Sequence, residues 1–238
     1  IRRPWNRAAV RGASRYPSLS RRVARQINQL AGGEYSETIP WGPDKNYYEV
    51  GAGAGKGAIA AGMTGRDFNT FGRASTEAGM AARIVCCDRD IPKSASNFGP
   101  NVSLEIHQSD KPQGYRRLAK SFAAARVLAI PLYAQDTLAG LTSLMDALGV
   151  GRPVIVTRNP LLDLDVEALG IGRWVNTGDV SGWIAALRWF DSHPTEAMEM
   201  GRKARALVDG GLHSAAFADR MMSLFNQVLA EDKVSRPK

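Results

Sequence analysis

The sequence predicts an α/β fold, a parallel sheet with helices on both faces. Two observations lead there. From Ala58 onward, short apolar strand-like runs alternate with longer helix-like runs, which is the pattern of parallel strands joined by helical crossovers. The second observation is the stretch Asp136–Asn159, DTLAGLTSLMDALGVGRPVIVTRN. It reads as loop, amphipathic helix, tight turn and buried β-branched strand. Ligands of such sheets gather at the carboxyl ends of the strands, so each strand-to-helix loop is a candidate site.

The strand-like runs are Ala58–Ala61, Arg83–Cys87, Val102–Ile106, Val127–Ile130, Val154–Thr157 and Arg173–Val175. The helix-like runs are Asp67–Ala78, Tyr115–Ala125, Leu141–Leu148, Leu161–Leu169, Gly182–Asp191, Glu196–Val208 and Ser214–Ala230. Ahead of them, residues 18–30 (SLSRRVARQINQL) put Leu19, Val23, Ile27 and Leu30 on one helical face, with Ser18 or Ser20 as cap. Residues Glu37–Tyr48, rich in Pro and Gly, read as a connector. Met198, Met200, Met221 and Met222 fall on helical runs and read as core packing.

Bulk properties bound the function. The apolar share of 44% and the charged share of 23% are those of a soluble globular protein. No apolar run approaches the roughly 18–20 residues that span a bilayer, and no signal-peptide core follows Ile1. Cys86 and Cys87 are adjacent, a poor geometry for bridging each other, and read as small buried strand residues. His107, His193 and His213 are scattered, so no zinc-type ligand spacing exists. A reducing, cytoplasmic setting fits. The net charge of +8 is local: eight arginines, Arg2 to Arg25, precede the first acid, Glu34, and the remainder balances. This arm reads as a solvated basic surface, with peripheral contact to an anionic membrane surface or anionic acceptor as the next reading. Trp5 and Tyr16 are its only aromatics, thin for base stacking, so no nucleic-acid partner is expected.

Three constellations carry candidate chemistry. Gly51-Ala-Gly-Ala-Gly-Lys-Gly has the look of a phosphate loop, but lacks the Walker spacing and a preceding apolar strand; a flexible turn into the next strand is the reading. Gly62-Met-Thr-Gly-Arg66 lies between a short strand and a helix starting near Asp67. Gly62 and Gly65 permit close backbone approach, Thr64 brings a hydroxyl, and Arg66 a fork for phosphate oxygens; a turn with a surface Arg is the alternative. In the third, Gly140 opens a helix whose first N–H groups suit phosphate, and Gly140, Leu141 and Thr142 would offer amides and a hydroxyl. Carboxylates flank it at Asp136 and Asp146. Such groups accept the paired hydrogen bonds of vicinal diols, while Asp136 also reads as an N-cap.

The order GLTxLxDALxxGRPVIxT, residues 140–157, resembles the donor-sugar motif of GT-B glycosyltransferases of the retaining, group 1 type. There an acidic residue precedes Gly-Phe-Gly-Leu, a helix carries a Glu eight positions later, and Ala-Gly-Lys-Pro-Val-Ile follows. Here the acids are both Asp and stand ten apart. Ile39-Pro-Trp-Gly-Pro-Asp44 with Tyr47-Tyr48 resembles the interdomain linker of the family, and Gly62–Arg66 its first glycine-rich loop, with Met63 where Arg is usual. The resemblance covers about residues 37–228 and is most specific from Val127 to Gly172.

The resemblance implies a Rossmann-like sheet forming one GT-B half, residues 47–238, after a basic helical segment and linker, residues 1–46, left from the first domain. It implies a glycosyltransferase of hexosyltransferase type, using a nucleotide-diphosphate sugar with retention and no obligatory metal or cofactor. The diphosphate would lie on Gly62, Thr64, Gly65, Arg66, Gly140, Leu141 and Thr142. Asp136 would take sugar hydroxyls, Asp146 the ribose, and His107-Gln108 would border the base. Almost all of the acceptor domain would be absent, so this stretch alone would bind donor and transfer poorly or not at all. The alternative is a non-catalytic nucleotide- or sugar-binding module on the same fold.

Overall fold

The computed structural model describes residues 11–110, 114–134 and 136–235. Arg2, Arg3, Trp5 and Arg7 of the basic arm lie outside them. The chain begins with a small unit: β1 (Tyr16–Ser18), α1 (Arg21–Ala31) and β2 (Ser36–Thr38), the two strands parallel. Ser20 precedes α1 without a side-chain cap bond, and Ser18 is spent within β1, its hydroxyl 2.8 Å from that of Ser36. The strand β2 thus takes the start of what reads in sequence as connector. Arg11 is tied to the Ala31 carbonyl and Arg15 to Glu231, while Arg21, Arg22 and Arg25 are exposed.

The main sheet has six parallel strands in the order β5-β4-β3-β6-β7-β8. They are β3 (Ala58–Ala61), β4 (Ala82–Cys87), β5 (Val102–His107), β6 (Val127–Ile130), β7 (Val154–Thr157) and β8 (Gly172–Val175). Crossovers run through α2 (Phe68–Ala78), α3 (Tyr115–Ala124) and α4 (Leu141–Val150), and the chain ends with α5 (Val180–Ser192), α6 (Pro194–Asp209) and α7 (Ser214–Ser235). This is the fold class read from sequence. Strand residues alternate between two cores. Ile59, Leu128, Ile130, Val154 and Val156 pack with Phe122, Leu144 and Leu148; Ala58, Ala60, Val127, Ala129 and Ile155 pack with Phe71, Trp183 and Phe190. A period of two with both faces apolar is what a doubly covered sheet requires. Cys86 and Cys87 are buried, unbridged residues of β4, as expected.

Two expectations fail. Leu161–Leu169 is not a helix but irregular chain that ends in turns from Val166. Its polar side chains satisfy the local amides instead: Asn159 Oδ1 accepts from Leu161, and Asp165 Oδ1 from Glu167 and Ala168. Side chains that bond nearby backbone compete with helix in this way. Of the four methionines, Met198 and Met222 are 43% and 56% exposed. Small residues carry the packing of α6 instead, at Ala197, Gly201, Ala204 and Val208.

Helix α4 is buried over Ser143–Val150 and apolar nearly all round, the pattern of a fully enclosed helix. Just past it, Arg152 is 2% exposed. Its guanidinium donates to the carbonyls of Ala52 (2.9 Å), Gly53 (2.7 Å) and Ala123 (2.7 Å). The glycine-rich turn is thereby fixed, with Gly53, Gly55 and Gly57 at positive φ. It leads into β3, with its Ala52 and Gly53 carbonyls taken by Arg152. Burial lowers the pKa of Arg152 from its usual value. Arg152→Met should cost about 4 kcal/mol of stability or more, since three carbonyls each lose a charged donor worth roughly 1.5–3 kcal/mol. A urea midpoint shifted down at unchanged slope is the expected reading.

Candidate functional site

The order of strands reverses between β3 and β6: β3 leads outward to β4 and β5, β6 to β7 and β8. That is the switch point at which loops diverge and leave a crevice. The loop after β3 and the loop after β6 meet there through a bridge between Arg66 and Leu132. A cavity of about 530 Å³ opens beside it, within the roughly 300–1,000 Å³ of ligand pockets. Its inner wall is apolar, with Val85, Cys86, Leu118 and Phe122; its polar side is Gly62, Thr64, Arg66, His107, Thr142, Ser143 and Asp146.

The loop after β3 is shaped by glycine. Gly62 has φ 131° and Gly65 φ 62°, and a Cβ on Gly62 would stand 2.5 Å from Arg66 Nε. That space holds the guanidinium. Its Nε donates to the Ala61 carbonyl (3.1 Å), Nη1 to that of Thr64 (3.0 Å) and Nη2 to the Ser143 hydroxyl (2.8 Å). The fork is thus fixed between the loop and α4 with donors left over. Burial brings the Arg66 pKa down to about 10, and Asp146 opposes the shift. Asp67 closes the loop by capping α2, accepting from Thr70 N at 3.0 Å.

Gly140 precedes α4 at φ 89° and no side chain caps the helix. The uncapped first turn faces the cavity through Gly140 and Thr142, where amide donors and the positive dipole end favour an anion. One helical turn on sits Asp146, 4% exposed. A carboxylate so enclosed needs partners. Tyr48 Oη donates to its Oδ1 at 2.7 Å, Tyr115 Oη makes a closer contact to the same oxygen, and the two hydroxyls are 3.2 Å apart. Burial pushes the Asp146 carboxyl up, while Tyr115, Tyr48 and Arg66 pull it back. Burial first, and Asp146 second, push both phenols well above their usual range.

The structure therefore gathers Gly62, Thr64, Arg66, Gly140, Thr142, Asp146 and His107 around one cavity. Four other candidates stand apart from its lining. Gly65 gives its carbonyl to Tyr133 N, and Leu141 packs on the core. Asp136 and Gln108 are exposed. Asp136 is also not the cap of α4, a position that Gly140 holds. His107 Nε2 lies 3.4 Å from Glu105 Oε1. Among the cavity residues that sequence reading missed are Tyr115, Ser143, the pair Cys86–Cys87 and the apolar wall of Val85, Leu118 and Phe122. Burial, then Asp90 and Cys87, raise the Cys86 thiol to about 11. Among the described residues no group of three or more His, Cys, Asp or Glu could hold a metal ion, and no helix is long and apolar enough to cross a membrane.

No family model matches the chain, and no curated protein matches it. Solved structures do. Sucrose-phosphate synthase from Thermosynechococcus elongatus is similar over 95% of this chain and 61% of its own, with TM-score 0.73 at 19% identity. HepE of Anabaena, solved in complex with UDP, is similar over 95% of this chain and 70% of its own, with TM-score 0.70 at 14% identity. TarM matches with TM-score 0.70 at 12% identity over 93% of this chain and 45% of its own. The fold is that of one half of a GT-B glycosyltransferase. The cavity lies at the strand-order reversal, where open α/β sheets leave a crevice. The chain spans 61% of the length of the sucrose-phosphate synthase.

The geometry of the loop after β3 sets one expectation. In Gly62→Ala the new Cβ meets Arg66 from a backbone conformation that L residues rarely adopt. Stability should fall by about 2 kcal/mol, the scale of such strain, and the melting temperature by several degrees. An unchanged melting curve would show that the guanidinium moves away freely.

Proposed function

We propose that this chain is the donor-binding half of a retaining glycosyltransferase and takes a nucleotide-diphosphate sugar. The observation that carries the reading is the convergence of the Gly62–Arg66 loop, the uncapped start of α4 and Asp146 on one cavity at the switch point. Together they offer a fixed cation and free amides to a diphosphate, and a carboxylate to a ribose. Solved neighbours support the ligand class: HepE has been solved with UDP, with UDP and glucose, and with UDP-glucose.

In this reading the diphosphate lies between Arg66 and the first turn of α4. The nucleoside runs from Asp146 toward the apolar wall of Val85, Leu118 and Phe122, with His107 at its rim. As the bond from sugar to diphosphate breaks, charge builds on the leaving phosphate oxygen. Arg66 and the amides of α4 stabilise it in place, already oriented by their own hydrogen bonds. The chain's contribution is positioning and neutralisation, and we propose no obligatory metal. Asp136, exposed and next to the cavity-lining Thr137, is kept as the proposed sugar contact. Transfer to an acceptor, and the acceptor's identity, belong to the whole enzyme.

Titration calorimetry with UDP, GDP and ADP tests the reading. Binding of at least one below millimolar concentration is expected; silence from all three would end it. Arg66→Ala should weaken the diphosphate about tenfold or more, the worth of a charged hydrogen bond, and leave the bare nucleoside nearly unchanged. Equal losses for both would make Arg66 a support of the fold. Asp146→Asn should lower ribonucleotide affinity and narrow the preference over the 2′-deoxy analogue. An unchanged preference would remove Asp146 from the ribose role.

A further inference from the structure

The two tyrosines on Asp146 are not equivalent. Tyr48 comes from the linker and lies outside the cavity lining; its ring packs where a Cβ on Gly149 would stand 2.8 Å from Cδ2. The absence of a side chain at Gly149 is what admits the ring. Gly51 N, three residues on, donates to the Val150 carbonyl at 2.9 Å. Tyr48 is therefore fastened to α4 outside the cavity lining. Tyr115 is the first residue of α3, lines the cavity, and is 44% exposed. Besides Asp146 it meets the tilted ring of Tyr47, at 5.8 Å between centroids, and the hydroxyl of Tyr48. Its hydroxyl reaches Asp146 from the side a ligand would use.

Two hydroxyls about 3 Å apart on one carboxylate oxygen is the arrangement a vicinal diol makes. We propose that Tyr115 is a gate at the nucleotide site: its hydroxyl stands where a ribose hydroxyl binds Asp146, and an arriving nucleotide displaces it, while Tyr48 stays and positions the carboxylate. The proposal rests on the donor reading and adds the regulation of that site. Asp146, dehydrated within α4, is never left without donors. Tyr115 supplies one until the ribose does, and the ring then swings toward solvent from the helix terminus. A ligand without ribose has nothing to exchange for the phenol and gains nothing from its departure.

The two conservative variants should move in opposite directions. Tyr115→Phe keeps the ring and removes the competitor, so the best-binding nucleoside diphosphate of UDP, GDP and ADP should bind about fivefold tighter, the worth of one net hydrogen bond. Tyr48→Phe removes the fixed donor, and the same nucleotide should bind about fivefold weaker. Inorganic pyrophosphate, which needs Arg66 and the start of α4 but no ribose contact, should bind all three proteins alike, and this also reports that the variants are folded. Weaker or equal nucleotide binding by Tyr115→Phe overturns the gate and makes Tyr115 a second positioning residue. Failure of all three nucleotides with all three proteins overturns the donor reading and the gate with it, a result distinct from the first.

Discussion

The enclosure of α4 governs the rest of the molecule. A helix buried on nearly every side can be held by apolar contacts alone, but this one carries an aspartate inside it and an arginine just past its end. Each must be answered by polar groups, since an uncompensated buried charge costs several kcal/mol. Besides Tyr115 and the Ala123 carbonyl, the answers come from one segment. Tyr48 serves Asp146, and the carbonyls of Ala52 and Gly53 serve Arg152. Between them Gly51 N bonds the Val150 carbonyl. The linker is therefore laid along α4 by the charges the helix could not bury alone. Arg205 completes the arrangement, joining the Gly149 carbonyl to that of Lys45.

Most of the sheet was legible because its strands are short, apolar on both faces and separated by helices of clear period. All six strand runs fall in the parallel sheet. What escaped was decided by local side-chain chemistry rather than by hydrophobic pattern. Leu161–Leu169 has enough leucine for a helix, yet Asn159 and Asp165 hold its amides in turns. The strands β1 and β2 are three residues each, too short to leave a periodic trace. Met198 and Met222 were misplaced because flexible apolar residues fit a helical run equally well on its solvent face, whereas Met200 does pack on the core.

The site was legible where glycine and sequence order announce it. Gly62 and Gly140 both adopt positive φ and both border the cavity, and Arg66 and Asp146 followed from their neighbours in the chain. Residues brought from afar were not. Tyr48 and Tyr115 lie 98 and 31 positions from Asp146, and nothing in the local spelling of either points to a buried carboxylate. The one available signal was the acid itself: an aspartate flanked by leucine, methionine and alanine in a helix has to find hydroxyls or cations somewhere. Asp136, the same residue type on an exposed loop, creates no such demand and so announces no partner.

The hold of Arg152 on the glycine-rich turn has a consequence for how the protein comes off the ribosome. The bonds to Gly53 and Ala52 join residues 99 and 100 positions apart, so about two fifths of the chain must be synthesised between the turn and the group that fixes it. Closure over such a distance is entropically costly and is met only after nearer contacts have formed. During that wait residues 51–57 hold only glycine, alanine and one lysine. They present no large apolar surface to a neighbouring nascent chain and no strand-forming pattern to pair with one. The composition that looks like a phosphate loop thus lets an early segment remain loose and inert until α4 and the arginine behind it arrive.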